Sequence, residues 1–421
     1  MKQVKILIIS DLHVGESARG DDFCTEGSTS NINSKNYIDD FRSFVEENSI
    51  QATHMLIAGD ITNRAGYKEF ELASKRIKDI ADILDISTTN IYFVPGNHDS
   101  HWKEEETAQK EGLPQDKIVE KKFWNIMEHD FFKKLHDNAS FKSYYKSPYT
   151  SIWFSDELIA VGINSSVFDT FDKRPHHGEI KVEHLKEVSS KLSELDDSER
   201  RVRVLFTHHH PKNYSDTTFE DPDFSQMKNS EDFLQFAVEN DFDLLIHGHK
   251  HIPRFDIHSD INNVPVVTLC AGSFSASLKE YHNGVANFFH VIEIDKICEN
   301  EDNVCGKIKS WSYFLNKKWI KSDVERDSIS HEEYFGSFMN RKKLKRELER
   351  TVLELFKKSD SIKWESLSSS LIGLEYCNRR ILLNLLNELS VVHGFEVMFN
   401  KNNKLVTCPR ELIQNFISNA C

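Results

Sequence analysis

Asn90-Ile-Tyr-Phe-Val-Pro-Gly-Asn-His-Asp-Ser100 decides how the rest of the chain is read. Ile91 to Val94 has the look of a short buried strand, and Pro95-Gly96 stops it. An amide, an imidazole and a carboxylate then arrive together on the loop. Four further apolar runs end in the same manner. Val4 to Ile9 leads into Ser10-Asp11-Leu12-His13, and Met55 to Ala58 into Gly59-Asp60. Val202 to Phe206 leads into Thr207-His208-His209-His210-Pro211, and Leu244 to Ile246 into His247-Gly248-His249-Lys250-His251. Ligand-type side chains placed repeatedly just past strand ends describe an open α/β sheet with a metal site at one edge, read here as a centre for two ions.

The chain between these strands supports a largely parallel sheet. Phe70, Leu72, Ala73, Ile77, Ile80, Ala81 and Leu84 recur at helical spacing between the second and third strands, as a crossover helix requires. The polar segment 14–35 reads as a long loop beside the site. Residues 101–150 read as an insertion or lid with an aromatic-rich helix around 123–135. Two short strands are expected in 151–163, a helix in 179–195, and antiparallel strands in 285–294 and 307–314 joined by a polar connection.

After residue 340 the composition changes. Residues 341–421 carry 14 Lys plus Arg against 9 Asp plus Glu, a balance of +5. The whole chain is formally at -14, so the rest carries -19. Three amphipathic helices and a hairpin, Phe395 to Phe399 with Lys404 to Thr407, follow the winged-helix order. The expected organisation is a catalytic domain over 1–320, a linker over 321–340 centred on Ser322 to Ser330, and a mainly helical, winged-helix-like domain over 341–421.

At 421 residues, 39% hydrophobic and 29% charged, the composition excludes a disordered or fibrous chain. No apolar run approaches the length of a spanning helix, and the start does not resemble a secretory signal, so no membrane partner and a cytoplasmic setting are expected. The seven cysteines form no CxxC pair and are expected as free thiols in a reducing compartment.

Asp11 and His13 can converge once their strand opens into a turn. Asp60 after Gly59 has two oxygens with which to bridge cations. Asn97 offers a neutral oxygen, and the later histidines offer imidazole nitrogens. Such mixed donors suit Mn, Fe, Zn or Co rather than Ca. One allocation sets Asp11, His13 and His251 on one ion and Asn97, His209 and His249 on the other, with Asp60 between. His208, His209 and His210 cannot all be ligands, and His247 has the alternative of facing the core. Two ions would lower the pKa of a bridging water, the nucleophile. His98 is then placed to assist the leaving oxygen, with Asp99 fixing its tautomer. Arg64 is a candidate phosphate contact, with a salt bridge as its plain alternative. His176 and His177 are expected at the surface or behind the site. Tyr214 and Phe219 are candidates for the substrate mouth.

These blocks resemble the calcineurin-like metallophosphoesterase family. Asp11-Leu-His13, Gly59-Asp60, Gly96-Asn97-His98-Asp99, His209 before His210-Pro211 and Gly248-His249-Lys250-His251 match its five motifs in order, over roughly residues 1 to 320. The resemblance implies a four-layer α/β/β/α sandwich, the seven ligands above and a leaving-group role for His98. It favours His209 over His208, because the family's histidine usually stands two places before the proline. Gly59-Asp-Ile-Thr-Asn-Arg64 and the His-His-Pro run look like the cyclic-nucleotide phosphodiesterase branch, while Asp11-Leu-His-Val-Gly15 also looks like a nuclease branch. The implied activity is hydrolysis of a nucleotide-type phosphodiester by metal-bridging hydroxide. The alternatives are a DNA or RNA nuclease whose residues 341–421 bind nucleic acid, and a non-catalytic scaffold in which Leu382, Leu385, Leu386 and Leu389 face a partner or a second copy.

Overall fold

The computed structural model describes residues 4–16, 18–25, 34–143, 150–172, 176–195, 200–213, 225–259, 264–277, 286–298, 303–337, 339–399 and 405–409. The chain divides into two compact units, Met1–Ile294 with Ile308–Glu332, and Asp295–Lys307 with Glu333–Cys421.

The first unit is built on two sheets. In one, Val4–Ile9 lies parallel to His54–Ala58, which lies parallel to Ile91–Val94. On its other side Val4–Ile9 pairs antiparallel with Asn287–Cys298, in the register Ile6 to Ile292. The second sheet runs Phe141–Ser143, Thr150–Phe154, Leu158–Gly162, Val202–Phe206, Leu244–His247, Pro265–Cys270, Arg254–Ser259. Its middle is parallel, with Leu158–Gly162, Val202–Phe206, Leu244–His247 and Pro265–Cys270 in register.

Continuous apolar runs form these strands because both faces are buried. Leu7, Ile9, Met55, Ile57, Ile91 and Phe93 pack with the helix residues Phe41, Phe70, Ile77 and Ile80. On the alternate face Tyr92 meets Trp153 of the second sheet at 5.3 Å between ring centroids. The second sheet buries Ile159, Val161, Leu205 and Leu245 against Leu185, Val188, Phe233 and Phe236 of its own helices, Val182–Ser193 and Ser230–Glu239. Helix, sheet, sheet, helix is the expected four-layer sandwich.

The structure departs from the sequence expectations in identifiable places. Within the segment expected as an insertion or lid, Phe123, Ile126, Phe132 and Leu135 belong to the main core, and Phe132 packs edge-on to Phe70 and Phe93. Helix Trp102–Lys110 escaped notice because of its nine residues only Glu105 and Ala108 are buried, so no apolar stripe exists to see. The expected connection 295–306 is mostly strand, since Asn287–Cys298 and Asn303–Phe314 extend into it. The expected linker is folded from its start. Asp327 is buried and accepts from Ser312 Oγ at 2.9 Å and from the Asp323 amide at 3.0 Å, and Ile329 is buried beside it. Cys24, Cys270 and Cys377 are free as expected, but Cys305 is disulfide-bonded, which local spacing could not reveal.

The second unit has the order helix Arg341–Phe356, strand Ile362–Lys363, helix Trp364–Ser370, helix Arg379–His393, strands Phe395–Phe399 and Leu405–Pro409. Ile362–Lys363 pairs with Leu405–Pro409, which pairs with Phe395–Phe399, giving a three-stranded sheet beside the three helices. Leu382, Leu385, Leu386 and Leu389 are its core, with Leu344, Leu348 and Val352, so these leucines are not open to a partner. Ile381, next to Leu382 on the same helix, is exposed. The tip of the hairpin lies outside the described residues.

Candidate metal centre

Three of the five strand ends, those after Val4–Ile9, His54–Ala58 and Leu244–His247, bend sharply to aim their side chains. Asp11, His13, Asp60, His249 and His251 all adopt positive φ, between 47° and 72°. L-residues other than glycine pay for this conformation, and it persists where surrounding bonds over-determine it. Here the Asp11 amide donates to the Gly59 carbonyl and the His13 amide to the Asp60 carbonyl, both at 3.0 Å. Gly248 and Gly96 are needed for space. A Cβ on Gly248 would collide with Ser10 Oγ and Asp11 Oδ2, and one on Gly96 with the Asp60 carboxylate and amide.

The result is one cluster of donor atoms. Asp11, His13, Asp60 and His251 each offer an atom within 4.8 Å of the others. His251 Nε2 stands 3.2 Å from Asp11 Oδ1 and 3.3 Å from His13 Nε2. His13 Nε2 is 3.5 Å from Asp60 Oδ2, and that same oxygen is 3.2 Å from His208 Nε2. His208 Nε2 continues to Asn97 Oδ1 at 3.1 Å and His249 Nδ1 at 3.3 Å. Asp60 Oδ2 therefore faces donors on both sides.

The member of the histidine run that reaches this cluster is His208. Its Nδ1 lies 2.9 Å from the Ala58 carbonyl, which can only accept, so Nδ1 carries a proton and Nε2 is turned inward. His209 instead directs Nδ1 to Ser165 Oγ at 2.8 Å, and its buried Nε2 has no hydrogen-bond partner. Counting back from the proline misled because the chain turns between 208 and 209. His247 is fully buried with Nδ1 toward the Gly248 carbonyl, on the core side as its alternative foresaw.

Electrostatics follow from burial. Desolvation pushes the His13 pKa down to about 3, with His98 adding to it, so its nitrogen is a free lone pair. Burial disfavours the Asp60 carboxylate, yet His208 and His98 hold it well below the usual range. Burial likewise opposes a charge on His208, but Asp60 overcomes it and raises the imidazole to about 9. A cation bound at this pair displaces that proton. Buried carboxylate oxygens, an amide oxygen and neutral imidazoles converging within bonding reach fit a divalent transition metal.

Around the cluster, the roles expected for Asp99 and Arg64 change. Asp99 accepts from the amides of Ile61, Thr62 and Gly96 and from Thr62 Oγ1, at 2.8 to 3.0 Å. It ties two loops together, and burial raises its pKa to about 6, with Asp60 adding to the effect. The tautomer of His98 is set by the Asn63 carbonyl, 2.9 Å from Nδ1, rather than by Asp99. The His98 amide holds Asp60 Oδ1 at 2.8 Å. Arg64 pairs with Glu16 at 3.0 Å on the surface, both side chains more than half exposed. Glu69, whose carboxylate accepts the Arg64 and Gly66 amides, caps the following helix. His176, expected at the margin, is nearly buried and bonded to Asp169. Tyr214 and Phe219 lie outside the described residues.

Two sheets packed face to face, with a cluster of carboxylates and imidazoles at their strand ends, define a metal-dependent hydrolase. The family described as calcineurin-like phosphoesterase matches residues 4–253, and the chain belongs to it. Solved structures share the likeness at low identity. The Haemophilus influenzae NAD nucleotidase is 12% identical with a TM-score of 0.37, over 77% of this chain and 61% of that one. GAP50 of Plasmodium is 13% identical with a TM-score of 0.36, over 76% of this chain and 89% of that one. Vps29 of Chaetomium thermophilum is 10% identical with a TM-score of 0.32, over 76% and 96%. This chain thus spans less than two thirds of the nucleotidase. A search of curated proteins gives no match. Among the described residues no helix is long and apolar enough to cross a membrane.

Proposed function

We propose that the protein is a two-metal phosphodiesterase acting on a small nucleotide-type diester. The observation that carries this reading is the placement of Asp60 Oδ2 between two donor groups, His13 on one side and His208 on the other. Asp11, His13 and His251 would hold one ion and Asn97, His208 and His249 the other, with Asp60 shared. Mn, Fe, Zn or Co suit these donors. Such ions supply charge to the phosphoryl oxygens and acidify water.

The chain's own residues do the rest. His98 keeps one proton on Nδ1 against the Asn63 carbonyl, and its Nε2 has no partner among the described residues. As imidazolium it donates the Nε2 proton to the departing oxygen. Asp99 fixes the loop on which His98 stands. Arg64, exposed beside Glu16, contributes at most a peripheral phosphate contact.

A nuclease is the second reading, and the winged-helix order of the second unit favours it. Arg380, Asn384 and Asn387 lie along one exposed face of helix Arg379–His393, where basic and amide side chains suit phosphate and base contacts. Hydrolysis of cyclic nucleotides, linear dinucleotides, a phosphomonoester and single- and double-stranded DNA and RNA, by metal-loaded protein and His98→Ala, tests both. Turnover of small diesters alone supports the first reading. Polymer cleavage lost on removing residues 341–421 replaces it with the second.

A further inference from the structure

A hydrogen bond ties the segment 101–150 to the loop that holds His98. Asn125 Nδ2 donates to the Ala65 carbonyl at 2.8 Å. Asn125 lies on the short helix Trp124–Glu128, and the residue after it, Ile126, is fully buried in the main core. The donor therefore stands on an anchored element. Ala65 lies in the loop that runs from Asp60 to helix Tyr67–Ile83.

Ala65 is 1% exposed and its φ is 56°, a left-handed backbone conformation that alanine does not choose unaided. Two side chains hold it there. Its amide donates to Thr62 Oγ1 at 3.1 Å, and its carbonyl accepts from Asn125. No other donor among the described residues reaches that carbonyl. The amides on either side, of Arg64 and Gly66, both donate to Glu69, at 2.9 and 3.1 Å. The amides of the loop are thus secured by residues close to it in the chain. The Ala65 carbonyl depends on a residue 60 positions away.

Asn63, two residues before Ala65, carries the carbonyl to which His98 Nδ1 donates at 2.9 Å. That bond restrains the plane of the ring and hence the direction of Nε2, whichever charge the ring carries. The ring is at the metal cluster. Its centroid is 4.6 Å from that of His13, and the His98 amide donates to Asp60 Oδ1 at 2.8 Å. Removing the Asn125 donor would leave the Ala65 carbonyl buried without a partner, which is disfavoured. The peptide then turns toward water, the left-handed conformation is released, and the Asn63 carbonyl moves with it.

We propose that Asn125 is a positioning residue for leaving-group departure: through the Ala65 carbonyl it keeps the Asn63 carbonyl in place, and so keeps His98 Nε2 aimed at the departing oxygen. The inference rests on the phosphodiesterase reading and deepens it, giving the segment 101–150 a part in the reaction. In this role Asn125 itself meets neither ion nor substrate.

The test compares the full chain with its Asn125→Leu and Asn125→Asp variants, which keep the size of the side chain and remove the donor. With Mn2+ bound, turnover is followed on two esters. Bis(p-nitrophenyl) phosphate has a leaving group that departs with little help, whereas the sugar alkoxide of a linear dinucleotide needs a proton. Both variants should lower kcat on the dinucleotide by about tenfold to a hundredfold, the scale of a misplaced catalytic group. KM and metal content should stay close to wild type, and the loss on the nitrophenyl ester should be much smaller. In the Zn2+-loaded protein the Nδ1–H resonance of His98, assigned from its loss in His98→Ala, should be protected from exchange in wild type and broadened in both variants. Equal losses on the two esters mark a merely structural role and overturn the proposal, as does wild-type behaviour throughout. Inertness toward every ester rejects the phosphodiesterase reading and leaves the positioning to the His98 resonance: broadened in the variants it stands, sharp in them it falls.

Discussion

His208 Nε2 lies 3.1 Å from Asn97 Oδ1, joining a strand end of the second sheet to one of the first. Because His209 points to Ser165 instead, the two histidines should separate on mutation. His208→Ala should lower the metal content by one ion per chain and turnover by more than about a hundredfold. His209→Ala should retain both ions. Elemental analysis of the purified variants checks this.

His13 and His251 present two ring nitrogens to each other at 3.3 Å beside Asp11. A cation relieves that opposition, so metal should stabilise the fold. At a hundredfold excess over its dissociation constant an ion adds about 2.7 kcal/mol. Thermal melts with chelator and with Mn2+ should show the shift, and His251→Ala should lose most of it.

Asp99 receives four hydrogen bonds in a buried setting. Asp99→Ala strands three amides and a hydroxyl, at about 1 to 3 kcal/mol for each donor left unsatisfied, softened where water enters. Urea unfolding should report a loss of at least about 3 kcal/mol. Equal stability with reduced turnover would instead return Asp99 to a direct role beside His98.

His290 is fully buried, its Nε2 2.8 Å from the Ala271 carbonyl and its Nδ1 2.7 Å from Ser310 Oγ. Burial lowers its pKa from 6.5 to about 4. A depressed histidine is neutral in the fold and protonates more readily in the unfolded chain. Its contribution is therefore full above pH 6.5 and is lost as pH falls from 6.5 toward 4. Between pH 7 and 5 wild type should lose about 2 kcal/mol more than His290→Gln, measured by urea unfolding at both values.

Gly248→Ala should abolish metal binding while leaving the second unit folded. The added methyl would meet Ser10 Oγ and Asp11 Oδ2, the groups that fix the first ligand. Calorimetric titration with Mn2+ reads the loss directly.

The five strand ends were legible because buried parallel strands are apolar throughout and stop abruptly at polar residues. Their pairing order and the position of His208 were not. Which of three successive histidines turns inward depends on the backbone after Phe206 and on the Ala58 carbonyl, which is 150 residues away in sequence. Helix Trp102–Lys110 and strand Arg254–Ser259 were hidden for a related reason. Both are half-exposed elements whose place is fixed by neighbours rather than by periodicity. The buried Lys122 looked like one of many surface lysines, because only the fold brings three carbonyls around it.

The left-handed turns at Asp11, His13, Asp60, His249 and His251 are held by bonds within and between the two sheets. None of them can relax alone without breaking the hydrogen bonds that pin its neighbours. The cradle is thus a mould held by the fold's own hydrogen bonds. A rigid mould of mixed oxygen and nitrogen donors discriminates little among cations of similar size. Which metal fills it is then decided by what the surroundings supply, and a change in supply would retune the protein without a change in its sequence.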